Sequence, residues 1–291
     1  WMGYVVAWPL LQGLQWLPLP LARGLAAGLG GLAVALLGRQ PAFVINSASF
    51  LLSAWFIARA RFAEPHLEIY SDLKWREILG FGPIAEGFRY VARDWRLVAL
   101  MAAKLGLGIL GARAVLVAIL GRQDMRIGGH AALGMAALFM FQGVGSVVGP
   151  LLAGPLVGER QRRMRWSILV GYLAAGSFYM AFSGAQNLAL AWLSMVVAHA
   201  GGSIVWVFSN MLLYLNTEDR FRGRVFAADL GLFTVTASIA GYACGRAIDL
   251  GVPARAATFA VGAAMLLPAL AWAVGMRRWW GSGDKVSGRQ T

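Results

Sequence analysis

Residues 139–165 hold the feature that most limits what this chain can fold into: a long uncharged run that ends abruptly in charges. Gly145, Gly149 and Ala153 recur every fourth residue there, so on a helix they share one flat stripe. In water so many glycines would weaken a helix, whereas in lipid such a stripe lets a neighbouring helix approach closely. Five charged residues follow within 159–165, as is typical where a spanning helix meets cytosol. We therefore predict one membrane-spanning helix and its cytosolic loop, a plan that the rest of the chain repeats.

The composition favours a multi-pass membrane protein. Of 291 residues, 59% are hydrophobic and only 13% charged, against about 25% charged in an ordinary soluble domain. The net charge of +13 would suit a nucleic-acid binder. Because the basic residues lie at the ends of apolar runs, we predict the lipid bilayer as partner instead, and no nucleic acid.

Motifs for enzyme chemistry are not found in the sequence. The single cysteine, Cys244, lies inside an apolar run, which excludes an intramolecular disulfide. Neither a Cys/His metal-ligand spacing nor a phosphate-binding glycine loop occurs, so we predict no enzyme activity, no catalytic residue, no metal and no cofactor.

The apolar runs predict an all-α integral membrane protein with about eight transmembrane helices. Each run approaches the roughly 20 residues that cross about 30 Å of hydrocarbon. The predicted spans are 17–37, 42–60, 97–120, 130–157, 166–184, 188–214, 224–248 and 254–275. Prolines interrupt residues 1–23, which are the least span-like part. Residues 61–96 are rich in charge, and two interpretations remain open for 73–92: a helix on the membrane surface or a solvated linker.

The lysines and arginines orient these spans. Eighteen basic residues fall in the connections 59–96, 160–165 and 220–224 and in the tail from 277, against five on the opposite side. Because cytosolic loops carry the excess of Lys and Arg, we predict that both termini are cytosolic.

Four segments resemble the major facilitator superfamily, and in particular its bacterial efflux branch that includes siderophore (enterobactin) exporters. They are GLGGLAVALLGRQPAFVINSASFLLSAWFI (28–57), IAEGFRYVARDWRLVAL (84–100), GVGSVVGPLLAGPLVGERQRRMR (143–165) and FSNMLLYLNTEDRFRGRVFAADLGLF (208–233). The resemblance covers about residues 24–276 and implies family helices five to twelve, the C-terminal two-thirds of a 6+6 bundle. It implies a remnant of the N-terminal bundle at 1–60, a cytosolic linker at 61–96, a C-terminal six-helix bundle at 97–276 and a cytosolic tail at 277–291.

The same resemblance implies a function. Such proteins export small molecules across the bacterial inner membrane by alternating access, often coupled to protons, and a complete one is expected to be monomeric. The chain opens with Trp1, and helices one to four have no counterpart in it. We therefore expect a truncated chain that does not transport alone. The alternative class is a non-transporting multi-pass protein, such as an assembly subunit or a transporter remnant.

The cytosolic loop motif of the family is partly present. Gly154 opens it, and Arg162 and Arg163 close it. Gly158 stands where the motif has Asp, and Gln161 stands where it has Gly. The helix-five antiporter pattern is also incomplete, since its Gly-Pro is replaced by Ala-Ala at 26–27.

Ionisable residues inside spans are candidates for function, because each costs about 2.5–3.5 kcal/mol to insert at a helix centre. Uncharged polar residues inside spans are candidates as well. Lys104 is expected either to face a cavity or to snorkel to the cytosolic interface. Arg113 would reach the same cavity only if the nearby glycines bend the helix, and otherwise snorkels outward. Gln142 and Asn210 complete the cavity candidates, with interhelical hydrogen bonds as the plainer role for them and for His199 and Asn46.

The last group of candidates lies near the predicted start of the seventh span. Asp229 is expected to favour that helix N-terminus and to pair with Arg222 or Arg224, a gating or structural role. Further along, Gly241 and Gly245 extend a small-residue stripe that predicts helix packing.

Overall fold

The structure, a computed structural model, describes residues 39–59 and 81–281. These residues form helices and hold no strand. The helices are α1 (Arg39–Arg59), α2 (Phe81–Val91), α3 (Trp95–Gly108), α4 (Arg113–Gln123), α5 (Ala131–Val157), α6 (Gln161–Ser183), α7 (Leu188–Leu215), α8 (Asp219–Asp249), α9 (Ala254–Ala264) and α10 (Leu266–Gly281). A 3-10 turn, Ile109–Ala112, joins α3 to α4.

Six helical stretches in the described ranges are long and apolar enough to cross a membrane. They are Trp95–Gln123, Ala131–Val157, Gln161–Ser183, Leu188–Leu215, Asp219–Asp249 and Ala254–Arg277. These six match the predicted third to eighth spans and confirm an all-α membrane bundle. The largest differences are the starts of α6 and α8, which begin at Gln161 rather than 166 and at Asp219 rather than 224. An acidic residue in the first turn stabilises a helix N-terminus, so the charged segment before 224 is helical too.

The first two predicted spans have different outcomes. Residues 17–37 lie outside the described part of the chain. The span expected at 42–60 coincides with α1, which contains a shorter apolar stretch, Ser47–Phe56, of less than spanning length. The structure also continues α10 to Gly281, so residues 277–281 of the expected tail are helical.

Glycines bring α5 and α7 into close contact, as the stripe in residues 145–153 predicts. A Cβ added at Gly149 would come 2.7 Å from Cα of Ala200 on α7, and one at Gly145 would meet the backbone of Val196. The small-residue stripe on α8 makes only part of the predicted contacts. A Cβ added at Gly241 would lie at van der Waals distance, 3.4 Å, from the carbonyl oxygen of Gly111, but one at Gly245 would meet nothing within 4 Å among the described residues. Nothing among the described residues supports the packing prediction for Gly245, which stays a prediction.

The connections gather at two ends of the bundle. At one end, Arg255 donates to Asp124 Oδ2 at 2.8 Å and to the carbonyls of Ser183 and Ala185 at 3.0 and 2.9 Å. Three segments that precede or follow spans therefore meet on one guanidinium. From the distribution of basic residues, we predict that this end of the bundle lies on the non-cytosolic side of the membrane.

The opposite end holds the connections predicted to be cytosolic. There α2 docks on the first turns of α8, since Tyr90 stacks on Phe221 with 4.3 Å between ring centroids. Glu86 and Arg224 form an ion pair at 2.9 Å. Trp272 on α10 donates to the carbonyl of Arg165 on α6 at 2.9 Å. The ring stack and the ion pair thus bind the linker helix α2 to α8.

Candidate functional site

A cavity of about 870 Å³ opens between α3, α5, α7 and α8. Its polar lining comes from Arg113, Gln142 and Asn210, together with His199 and two serines. Three of the four cavity candidates chosen from the sequence therefore line it. The fourth, Lys104, lies directly behind Asn210, to which its Nζ donates a hydrogen bond.

The 3-10 turn explains how Arg113 reaches this cavity. Lys104 and Arg113 are nine residues apart, which places them on opposite faces of a regular α-helix. Each 3-10 residue turns the chain by about 120° rather than 100°, so four of them add about 80°. Gly106, Gly108 and Gly111 permit close packing here. A Cβ at Gly108, for example, would lie 2.7 Å from Cβ of Thr236 on α8. The altered rotation therefore turns Arg113 toward the cavity wall.

Lys104 and Asp229 form an ion pair inside the bundle. Both residues are only 2% exposed, and the Lys104 ammonium donates to Asp229 Oδ2 and to Asn210 Oδ1. The two charges neutralise each other, which lowers the cost of holding them away from water. Within the described residues, the second carboxylate oxygen of Asp229 has no hydrogen-bond partner.

This pairing corrects the expectation for Asp229. Because α8 begins at Asp219, Asp229 lies ten residues along it, about 15 Å from the first turn. Arg222 instead pairs with Asp219 at 2.6 Å, and Arg224 pairs with Glu86. Asp229 is therefore an interior residue that joins α8 to α3, and neither predicted arginine contacts it.

Aromatic rings frame the pair and the cavity. The Lys104 ammonium lies 4.8 Å from the centroid of the Trp206 ring and 5.7 Å from that of Phe226. Phe233 meets Trp206 edge to face at 5.0 Å. All three aromatic residues line the cavity. Sequence reasoning missed them, since an aromatic residue in an apolar run gives the same signal whether it faces lipid or a cavity.

The uncharged polar residues have mixed roles. His199 Nε2 and the Tyr179 hydroxyl lie 2.8 Å apart and link α7 to α6, as expected for an interhelical hydrogen bond. Asn210 makes its interhelical bond to Lys104. Gln142 lines the cavity, and its Oε1 has no hydrogen-bond partner among the described residues. The side chain of Asn46 lies outside what the structure describes.

The loop-motif residues lie far from the cavity, where α5 ends and α6 begins. Gly158 ends α5 with φ of 56°, a conformation that favours glycine, and a Cβ at Gly154 would meet nothing within 4 Å in the described ranges. Arg163 Nη1 donates to the carbonyl of Leu156 at 3.0 Å. A cation at this position favours the C-terminal end of α5. Arg162 is exposed in the first turn of α6.

Comparison with known proteins gives one match. No curated protein and no solved structure matches this chain. A family model described as Major Facilitator Superfamily matches residues 9–241, well over half of the 291 residues. Together with the six apolar spanning helices, that match shows that this chain is a multi-pass membrane protein of the Major Facilitator Superfamily, a family of membrane transporters.

Proposed function

We propose that this protein exports small molecules across the bacterial inner membrane by alternating access, with the cavity between α3, α5, α7 and α8 as part of the substrate path. The observation that carries the proposal is the cavity itself. Its wall combines apolar rings with Arg113, Gln142 and Asn210, all within membrane-spanning helices. A few polar groups in a mostly apolar cavity are typical of small-molecule sites.

Alternating access requires that a bundle move as one body around the site. Close backbone contacts between α5, α6 and α7 support such rigidity. A Cβ at Gly171 on α6 would lie 2.7 Å from the carbonyl oxygen of Gly201 on α7, and α7 meets α5 as closely at Gly149. Because interfaces of this kind tolerate little sliding, we expect the movement to occur where the bundle meets other elements.

Asp229 is our candidate for coupling to protons, which the family resemblance implies. It is the one buried acidic residue in the described part of the spans, and it holds Lys104 close to the cavity. A proton on Asp229 would leave the Lys104 charge unpaired and change the cavity wall. Its role in gating or in structure alone stays the competing interpretation.

The proposed direction of transport, and the side of the membrane on which the termini lie, are inferred from the sequence. The resemblance to the siderophore-exporting branch supports export, and the excess of basic residues at one end supports cytosolic termini.

Filling the cavity tests the proposal. The full-length protein and its Ser203→Trp variant are produced in cells that lack their own exporters, and intracellular levels of a panel of anionic, neutral and cationic compounds are measured by mass spectrometry. Ser203 lines the cavity on α7, whereas Leu193 on the same helix is 55% exposed on the outer surface of the bundle. Leu193→Trp is therefore the matched control.

We expect the wild type and Leu193→Trp to lower the level of at least one compound, and Ser203→Trp to return that level to the empty-vector value. Unchanged export by Ser203→Trp would show that the cavity is not on the substrate path. Unchanged levels of every compound with the wild type would favour the non-transporting class of membrane protein.

A further inference from the structure

We propose that the cavity takes small, largely aromatic molecules that carry one negative charge. This inference rests on the cavity being the substrate site of the proposed transport function and goes beyond it by naming a substrate class. It is carried by the balance of charge around the cavity and by the faces of the aromatic rings.

Arg113 supplies the positive charge. It is partly exposed in the cavity wall and makes no ion pair or hydrogen bond with the residues that the structure describes. The lining residues within the described ranges include no Asp and no Glu. A guanidinium held within a spanning helix without a counter-ion is unfavourable, so an anion that binds there gains a favourable interaction that water alone does not provide.

The neighbouring charges do not alter this balance. Lys104 is neutralised by Asp229, and both lie buried behind the wall. His199 faces the cavity as well, but its Nε2 is hydrogen-bonded to the Tyr179 hydroxyl. Among the described residues, the cavity therefore presents one positive charge without a partner, and that charge belongs to Arg113.

The aromatic lining selects for an apolar body rather than for a cation. Aromatic cavities often bind cationic ligands through the faces of their rings. Here the Lys104 ammonium already lies over Trp206 and Phe226, at 4.8 and 5.7 Å from their centroids. One face of each of these rings is thus already engaged behind the wall, and a second cation inside the cavity would meet the repulsion of Arg113. Phe139, Phe233 and the remaining ring edges are left to pack against an apolar or aromatic body.

Three probes that share one ring system separate the possibilities: 2-naphthoate, the neutral 2-naphthamide and the cationic 2-naphthylmethylammonium. Binding of each radiolabelled probe is measured to the full-length protein in lipid nanodiscs, with empty nanodiscs to subtract partition into lipid. We expect 2-naphthoate to bind about tenfold or more tightly than 2-naphthamide, as for a charge-assisted hydrogen bond, and the cation to bind weakest.

Variants of two arginines on α4 locate the charge that matters. Arg113→Gln should abolish the preference for 2-naphthoate and weaken 2-naphthamide binding far less than 2-naphthoate binding, whereas Arg113→Lys should keep part of the preference. Arg122→Gln removes an exposed arginine of the same helix and should change nothing. Should Arg113→Gln fail to fold, the ranking of the three probes on the wild type still decides the question.

Equal or tighter binding of the cation, no binding of any probe, or a preference for 2-naphthoate that survives Arg113→Gln would overturn the inference. None of these results would decide whether the protein is an exporter. That question is judged by the effect of Ser203→Trp on export of whichever compound the protein moves, whatever the charge of that compound.

Discussion

Lys104 on α3 and Asp229 on α8 are 125 residues apart in the sequence and form a buried ion pair beside the cavity. Each is only 2% exposed, and Asn210 on α7 accepts a second hydrogen bond from the same ammonium. Three spanning helices are thus joined at one polar centre inside an otherwise apolar bundle. The pair lies next to the rings that line the cavity, so a change in the pair is expected to alter the cavity wall.

Removing one member of this pair should destabilise the protein strongly. Asp229→Asn leaves the Lys104 charge buried without a counter-ion, and we expect a loss of about 3–5 kcal/mol in the free energy of unfolding, measured by denaturant titration in micelles. The double variant Lys104→Met/Asp229→Leu should recover most of that loss, because an apolar pair of similar volume replaces the ion pair.

The same double variant separates structure from mechanism. If it is stable but does not export, the pair takes part in switching or coupling. Export at the wild-type rate by the stable double variant would instead assign the pair to structure alone and would exclude Asp229 as the proton-coupling residue.

Two glycines of α5 should respond in opposite directions to the same substitution. Gly149→Ala forces a Cβ against Ala200, and we expect a loss of about 1–3 kcal/mol in stability from overpacking. Gly154→Ala, five residues on, places its Cβ where no described atom lies within 4 Å. It should stabilise the helix by up to about 1 kcal/mol. Thermal unfolding of both variants in detergent checks this, and equal effects would contradict the close contact of α5 with α7.

Much of the fold could be predicted from the sequence, because a membrane-spanning helix requires a long apolar run and charges mark its ends. Six spans were predictable in this way. Gly145 and Gly149 were predictable as contacts, since only small residues spaced by four give such a stripe. Gly245 shows the limit of that rule: the spacing is the same, yet the structure places no described neighbour against it.

The candidate site was predictable in part. Polar residues are so costly in lipid that Arg113, Gln142 and Asn210 stood out, and all three line the cavity. The partner of Lys104 was not predictable, because the charged start of α8 hid how deep Asp229 lies in that helix. The rotation that the 3-10 turn adds before Arg113 is likewise a product of tertiary packing.

Arg255 should matter more to stability than its exposure suggests. It bonds to Asp124 and to two backbone carbonyls from another connection. We expect Arg255→Gln to cost about 1.5–3 kcal/mol, as for hydrogen bonds to a charged group. Arg246→Gln is the control. In the described part of the chain Arg246 pairs with Asp249 alone, at 3.7 Å on the surface, so this substitution should cost about 1 kcal/mol or less. A larger loss for Arg246→Gln would contradict the arrangement at this end.

The attachment of α2 to α8 should depend more on its rings than on its charges. Tyr90→Ala removes the stack on Phe221, worth about 0.5–1.5 kcal/mol. Glu86→Gln removes a half-exposed ion pair with Arg224 that is worth about 1 kcal/mol or less. Hydrogen exchange of Phe81–Val91 should therefore speed up more in Tyr90→Ala. Faster exchange in Glu86→Gln than in Tyr90→Ala would show that charge holds the helix in place.

The central claim, that the cavity opens in turn to each side of the membrane, is tested most directly by the reactivity of one cysteine in its wall. Cys244 is the single native cysteine and is buried, so it is replaced by alanine before Ser203→Cys is introduced in the full-length protein. A membrane-impermeant thiol reagent is then applied to right-side-out and inside-out vesicles, with Leu193→Cys on the outer surface of α7 as the control. We predict that Ser203→Cys reacts from both sides and that Leu193→Cys reacts from neither. Reaction of Ser203→Cys from one side only, in vesicles that still export, would contradict alternating access through this cavity.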